Sequence, residues 1–208
     1  MLKIKTFENR RSFSCNVYVC SDETGSFIVD PGYFDSEIES YLKTIPPVQF
    51  VLLTHGHFDH IMGLNAFAEQ YPEAEFYCHK NELQVMSDYR LNASYMAGEA
   101  YIPEVSFKTL EEETVNIHKR EIKVIYTPGH TIGSCMFYLE NEKVVFTGDT
   151  LIETSIGRTD LPTGDETEIF KSLKKIKNYK FADGTEFYFG HGNPLKYNEL
   201  LKYNTFLS

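Results

Sequence analysis

Four apolar stretches of this chain each run into a polar loop that carries a histidine or an aspartate beside a glycine. FVLL leads to His55, VIYTPG to His130, VVFTG to Asp149 and FYFG to His191. Runs this short, rich in branched and aromatic residues, read as strands. Open α/β sheets place their ligands just past the ends of such strands. The neighbouring glycines, Gly56, Gly129, Gly148, Gly190 and Gly192, allow tight turns and close backbone approach. Four loops built alike at strand ends predict one shared site, and a fold that gathers those ends.

The first loop is the densest. Residues 54–63, THGHFDHIMG, hold three of the chain's seven histidines and an aspartate. Side chains two apart in extended chain point the same way, so His55 and His57 can grip one ion together. Asp59 and His60 are adjacent and diverge, which suits a second ion at the start of a helix. Imidazole and carboxylate are suitable ligands for Zn²⁺, Fe or Mn²⁺. A carboxylate has two oxygens and can bridge a pair of ions. A helix-capping turn with Asp59 as the cap would explain this motif alone. It would not explain why His130, Asp149 and His191 each follow a strand as well. His79 and His118 lack that setting and are expected at the solvated surface.

The other properties bound the partners. A chain of 208 residues is long enough for one domain, 1–208, with a sizeable core. A net charge of -10 argues against nucleic acid, which needs a basic footprint. The N-terminus has no apolar signal core and no apolar run reaches membrane length, so a cytoplasmic protein without a membrane partner is expected. The cysteines, Cys15, Cys20, Cys78 and Cys135, form no CxxC pair and are expected as free, buried thiols.

Strands are predicted over 2–7, 14–20, 25–30, 48–53, 75–78, 122–128, 134–140, 143–148 and 186–189. Asn141-Glu142 is a hairpin candidate. Helices are predicted over 34–44, 60–70, 164–177 and 194–203, with a short one after residue 78. The least regular stretch, 87–106, is the candidate for a mobile flap.

THGHFDHIMG, TPGHTIGS (127–134), FTGDT (146–150) and FGHG (189–192) together resemble the metallo-β-lactamase superfamily in every ligand motif and in their order. SIGRTDLPTGD (155–165) and LNASYMAG (91–98) resemble segments of its compact glyoxalase II-like hydrolases, and the first is also similar to the persulfide dioxygenases. The resemblance implies an α/β fold, an αβ/βα four-layer sandwich of two mixed β-sheets flanked by helices. It implies one metal on His55, His57 and His130, another on Asp59, His60 and His191, and Asp149 bridging both. Up to two Zn²⁺ per chain are expected, with Fe or Mn as alternatives.

Two such ions polarise a shared water and hold hydroxide near neutral pH. The implied activity is hydrolysis of a small-molecule thioester such as S-lactoylglutathione, with Asp59 handing on the proton and Asp149 holding the ions. Asp30 either orients a ligand histidine or caps a turn. Arg158 and Tyr95 are the candidate substrate contacts. The competing role for Arg158 is an ion pair with Asp160 or Asp165, and for the tyrosine plain packing. Full-length glyoxalase II enzymes carry a further C-terminal helical region that grips glutathione, so weak recognition of glutathione is expected here. An iron-dependent persulfide dioxygenase on His55, His57 and His130 is the rival enzyme class. A non-catalytic metal-binding module is the remaining alternative.

Overall fold

The computed structural model describes residues 1–8 and 15–207. In chain order the elements are β1 (Lys3–Glu8), β2 (Asn16–Asp22), β3 (Gly25–Val29), α1 (Ser36–Leu42), β4 (Val48–Leu53), α2 (Phe58–Ile61), α3 (Leu64–Gln70), β5 (Glu75–His79) and α4 (Glu82–Met86). A single 3₁₀ turn, Ser94–Ala97, precedes β6 (Phe107–Leu110), β7 (Thr114–Ile117), β8 (Arg120–Tyr126), β9 (Cys135–Leu139) and β10 (Val144–Gly148). The chain continues through α5 (Glu166–Asn178), β11 (Glu186–Phe189), β12 (Leu195–Lys196) and α6 (Tyr197–Tyr203).

The strands form two six-stranded sheets, ordered β1-β2-β3-β4-β5-β6 and β12-β11-β10-β9-β8-β7. Both are mixed. In the first, β3, β4, β5 and β6 run parallel while β1, β2 and β3 are antiparallel. In the second, only β10 and β11 are parallel. Alternation along each strand sends one set of side chains between the sheets and the other outward. Phe27, Phe50 and Leu52 of the first sheet meet Val124, Phe137 and Phe146 of the second in the inner layer. Ile28 and Val51 face α1 and α3 through Ile38, Leu64 and Phe67. Met136, Val145 and Phe187 face α5 and α6 through Leu173, Ile176 and Leu200. The result is the four-layer α/β sandwich that the resemblance implied.

The strands and helices stand close to their predicted places, and the differences have local causes. The helix expected over 60–70 is two helices, because the Gly63 amide leaves the helical path to donate to the Pro31 carbonyl at 2.9 Å. Strands β6, β7 and β12 were missed: each is four residues or fewer, and β6, β7 and β12 lie at sheet edges. Such strands need carry little apolar patterning. Ser14, the first residue of the strand expected over 14–20, lies outside the described residues, and β2 begins at Asn16. The Asn141-Glu142 hairpin is present, with Leu139 opposite Val144. Asp35 caps α1 by accepting from Glu37 and Ile38, and Asp165 caps α5 by accepting from Glu168.

The four cysteines are free and buried, as expected. His118 is exposed, but His79 is buried, contrary to the surface position expected for it. It ends β5 in register with Leu110, and its ring stacks on Tyr126 at 4.3 Å. Stretch 87–106 is tied down at its base, since Phe58 N donates to the Asn92 carbonyl and the Asn92 amide to that of Tyr101, both at 2.8 Å. Among the described residues no helix is long and apolar enough to cross a membrane.

Candidate metal centre

The loops after β4, β8, β10 and β11 converge at one end of the sandwich. Each leaves a strand that is paired on both sides within its sheet, so its first residues start from a fixed backbone. His55, His57, His60 and His130 are buried, Asp149 nearly so, and His191 is the most open of the set. Three groups of ligand atoms each fall within 4.8 Å of one another: His55, His57 and His130; His55, His60 and Asp149; Asp59, His60 and His191.

In the first group His130 Nε2 lies 2.8 Å from His57 Nδ1 and 3.2 Å from His55 Nε2. In the last, His191 Nε2 lies 3.2 Å from Asp59 Oδ2, and His60 Nε2 lies 3.7 Å from the same oxygen. Asp149 sits between them. Its Oδ2 is 3.6 Å from His130 and 3.4 Å from His191, while Oδ1 is 3.4 Å from His60.

The back sides of these rings decide which nitrogens are free. His130 Nδ1 faces the Arg158 carbonyl at 2.7 Å, and a carbonyl only accepts, so Nδ1 carries the proton. His60 Nδ1 faces Asp30 Oδ2 at 3.0 Å and donates to it. Thr54 Oγ1 spends its own hydrogen on Asp30 Oδ2 at 2.7 Å, so it accepts from His55 Nδ1 at 3.2 Å. All three imidazoles therefore turn Nε2 inward. Such support of the far nitrogen is the usual device for orienting metal-bound histidine. His60 Nε2 and Asp149 Oδ1 are buried without a hydrogen-bond partner, a costly state for polar atoms unless an ion takes them. The donor set and these orphaned atoms both fit a pair of metal ions.

The family model described as the Metallo-beta-lactamase superfamily matches residues 10–191, a span that includes every residue of the cluster. This chain belongs to the metallo-beta-lactamase superfamily. Among its relatives in that superfamily is a probable metallo-hydrolase, YqgX, of Bacillus subtilis (strain 168), 32% identical over 85% of this chain and 84% of its own length. A protein named hydroxyacylglutathione hydrolase, from Francisella tularensis subsp. novicida (strain U112), is 26% identical over 84% of this chain and 62% of its own. Two crystal structures are close in fold. That of the BLEG-1 B3 metallo-beta-lactamase has a TM-score of 0.88 at 31% identity, covering 100% of both chains. That of TTHA1623 in a di-iron-bound form has a TM-score of 0.84 at 28% identity, covering 97% of this chain and 99% of its own.

The electrostatics of this metallo-beta-lactamase site divide it in two. Burial, with neighbouring histidines, drives the pKa of His55 far down; burial brings His57 to about 3 and also lowers His130. All three are thereby held toward the neutral form, the state in which an imidazole can offer a lone pair. His60 and His191 behave oppositely. Burial opposes charge on His60, but Cys15, Asp59, Asp149 and Asp30 outweigh it and hold the pKa well above the ordinary value. His191 loses to burial but gains more from Asp149 and Asp59, and is pushed up to about 10.

Without an ion the acidic half of the site thus keeps protons at pH 7.5, which lies below the raised pKa of His191. An ion needs the lone pair, so its binding must expel them. Adding Zn²⁺ to chelated protein in weak buffer at that pH is expected to release protons, up to one each from His60 and His191. A pH indicator reads the release. Uptake without release would mean that these two rings do not bind the metal.

Two features of the surrounding wall bear on the candidate substrate contacts. Arg158 forms a two-pronged ion pair with Asp160, at 2.6 and 2.7 Å, so the competing role is the one its guanidinium takes. Its carbonyl orients His130, and the residue also lines the cavity. Tyr95 is half exposed, and the cavity over the cluster is lined by Ala93 and Met96 instead. Met96 lies on the 3₁₀ turn, and Ala93 is the left-handed residue that precedes it. Asp30 is the orienting residue that the sequence left undecided: it holds His60, Thr54 N and Thr54 Oγ1 at once, from a left-handed backbone with φ of 51°.

Proposed function

We propose that this chain is a metal-dependent hydrolase of acyl thioesters. The observation that carries the reading is the set of three imidazoles whose Nδ1 atoms are committed and whose Nε2 atoms converge beneath a cavity. One ion would be held by His55, His57 and His130 and the other by Asp59, His60 and His191, with Asp149 shared. Cations there supply Lewis acidity toward a carbonyl oxygen and lower the pKa of water; zinc and iron both suit this donor set.

The chain's own groups do the rest. Burial opposes charge on Asp59, but His60 and His191 hold it below the usual carboxylate range, so it stands ready as a base. Asp59 takes a proton from the attacking water at Oδ2 and passes it to the departing sulfur. A thiol of pKa about 8.5 leaves with little help from an acid. The cavity, about 390 Å³, is walled by Phe58, Met96, Ile152, Ile156 and Leu161, which keep bulk water from the carbonyl and accept an apolar group. Among the described residues its lining offers one lysine or arginine, Arg158, already paired with Asp160. Glutathione's carboxylates find little to grip, and small or varied thioesters should compete well with S-lactoylglutathione. The likeness to the hydroxyacylglutathione hydrolase and the metallo-hydrolase supports the reaction class.

A β-lactam amide is the second reading, favoured by the full-length likeness to the BLEG-1 enzyme. One assay separates these and the rival oxidoreductase. Thiol release is followed over a thioester panel, with a chromogenic cephalosporin and with oxygen uptake on glutathione persulfide. Thiol release from several thioesters, abolished by chelation and restored by metal, is expected. Oxygen uptake by the iron form with no thiol release would transfer the chain to the dioxygenases, and cephalosporin cleavage alone would transfer it to the β-lactamases.

A further inference from the structure

Glu82 belongs to none of the ligand motifs, yet it is the most completely enclosed carboxylate of the described residues, with no accessible surface. It opens α4, on the far side of the loops from the cavity. Its Oε2 accepts from Gly56 N at 2.5 Å. Its Oε1 accepts from Gly133 N at 2.7 Å and from Thr131 Oγ1 at 2.6 Å. Gly56 is the residue between His55 and His57, and Thr131 follows His130. One carboxylate therefore ties together the two loops that carry the first group of histidines. Loops after β10 and β11, which carry Asp149 and His191, receive nothing from it.

The surroundings are cut to admit this carboxylate. A Cβ on Gly56 would stand 2.8 Å from Oε2, and one on Gly133 would stand 2.5 Å from Oε1. Both are too close for any side chain, so these two glycines are what lets the carboxylate reach the loop backbones. Burying a charge is costly unless it is fully hydrogen-bonded, and three donors meet that need here. An apolar residue of similar size would leave the Gly56 and Gly133 amides and the Thr131 hydroxyl without this acceptor, so the carboxylate is what holds the two loop backbones together. Next to it, Tyr126 donates to the Ile132 carbonyl at 2.7 Å and receives from Asn81 at 3.2 Å, so the same segment braces the His130 loop from a second point.

We infer that Glu82 is a positioning residue that sets the spacing of His55 and His57 against His130, and so tunes one metal site without the other. The inference rests on the assignment of ligands proposed above. Glu82→Gln keeps the size but turns an amide N–H₂ toward a backbone N–H, which breaks one of the two loop ties.

The test uses the full chain, stripped with chelator and titrated with Co²⁺ against a competing chelator, with the visible spectrum recorded at each step. Wild type is expected to fill in two resolvable steps. In Glu82→Gln the step assigned to His55, His57 and His130 should weaken by about 10–100-fold, the range for losing support behind a metal ligand. Its spectrum should shift, while the other step stays in place. His191→Ala, run alongside, should show the opposite pattern and so labels the steps. Thr131→Val, which removes the hydroxyl that donates to Glu82 together with its contact to Ser134 Oγ, should weaken the same step as Glu82→Gln by a smaller factor, and it serves if Glu82→Gln does not fold. A wild type that takes up no Co²⁺ would overturn the metal assignment together with this inference. Normal two-step filling in wild type, with both steps unchanged or equally weakened in Glu82→Gln and Thr131→Val, would overturn the inference alone.

Discussion

Asp149→Ala is expected to lower turnover by about 10³-fold or more while leaving the fold intact. Asp149 reaches both halves of the site, through His130 on one side and His60 and His191 on the other. On the proposed assignment its loss would remove a ligand from each ion and the carboxylate that balances their charge. The stabilisation of developing charge by a bound metal amounts to several kcal/mol, and each 1.36 kcal/mol is a factor of about ten in rate. Burial works against the charge of Asp149, but His60 and His191 hold its pKa far below the usual carboxylate range, so the charge is present throughout the working pH range. The residue stands past the end of β10, outside the three apolar clusters, and its loss opens no core cavity. Thiol release, metal content and a thermal melt check this together. Near-normal turnover with two ions bound would remove Asp149 from the centre. A collapsed melt would show that its role is structural.

Gly129→Ala is expected to cost several kcal/mol of stability, with a fall in Tm of roughly 10 °C. Gly129 has φ of +132°, a backbone state that side chains other than glycine rarely adopt. A Cβ there would lie 2.2 Å from Ile169 N and 2.4 Å from Ile169 Cα. Both are backbone atoms of α5, which is packed onto the second sheet and cannot swing aside as a side-chain tip can. The carbonyl of Gly129 accepts from Asp165 N at 2.8 Å, at the cap of the same helix. Strain at such a site is worth about 1–3 kcal/mol and a backbone clash adds to it. For a domain of this size each kcal/mol moves Tm by about 2–4 °C. Melts of the chelated protein isolate the effect from metal binding. A Tm within about 2 °C of wild type would show that the His130 turn can re-form around an added methyl.

Much of this site could be read along the chain because its information is local. Apolar runs of strand length, each ending beside a glycine and a histidine or aspartate, place the ligands at strand ends whatever the rest of the fold does. The pattern HxHxDH sets two ligands on one side of an extended loop and two at a helix start, and the structure keeps that division. The short edge strands β6, β7 and β12 were missed because one free edge asks for little apolar alternation.

What the linear pattern could not reach is the support behind the ligands. The partners of His60 and His130 lie 30 and 28 residues away, and Glu82 joins backbone amides 26 and 51 residues from it. Several of these contacts use a main-chain carbonyl or amide, which every residue possesses and no motif can mark. Arg158 shows the consequence: its side chain drew attention, while its carbonyl orients His130. His79 shows another, since only the packing of β5 against Tyr126 buries a histidine that Lys80, Asn81 and Glu82 follow along the chain. Residue types and their order along the strands were enough to identify the metal-binding set. Which nitrogen each histidine presents, and how rigidly, was decided only when the two sheets closed and brought distant backbone groups behind the rings.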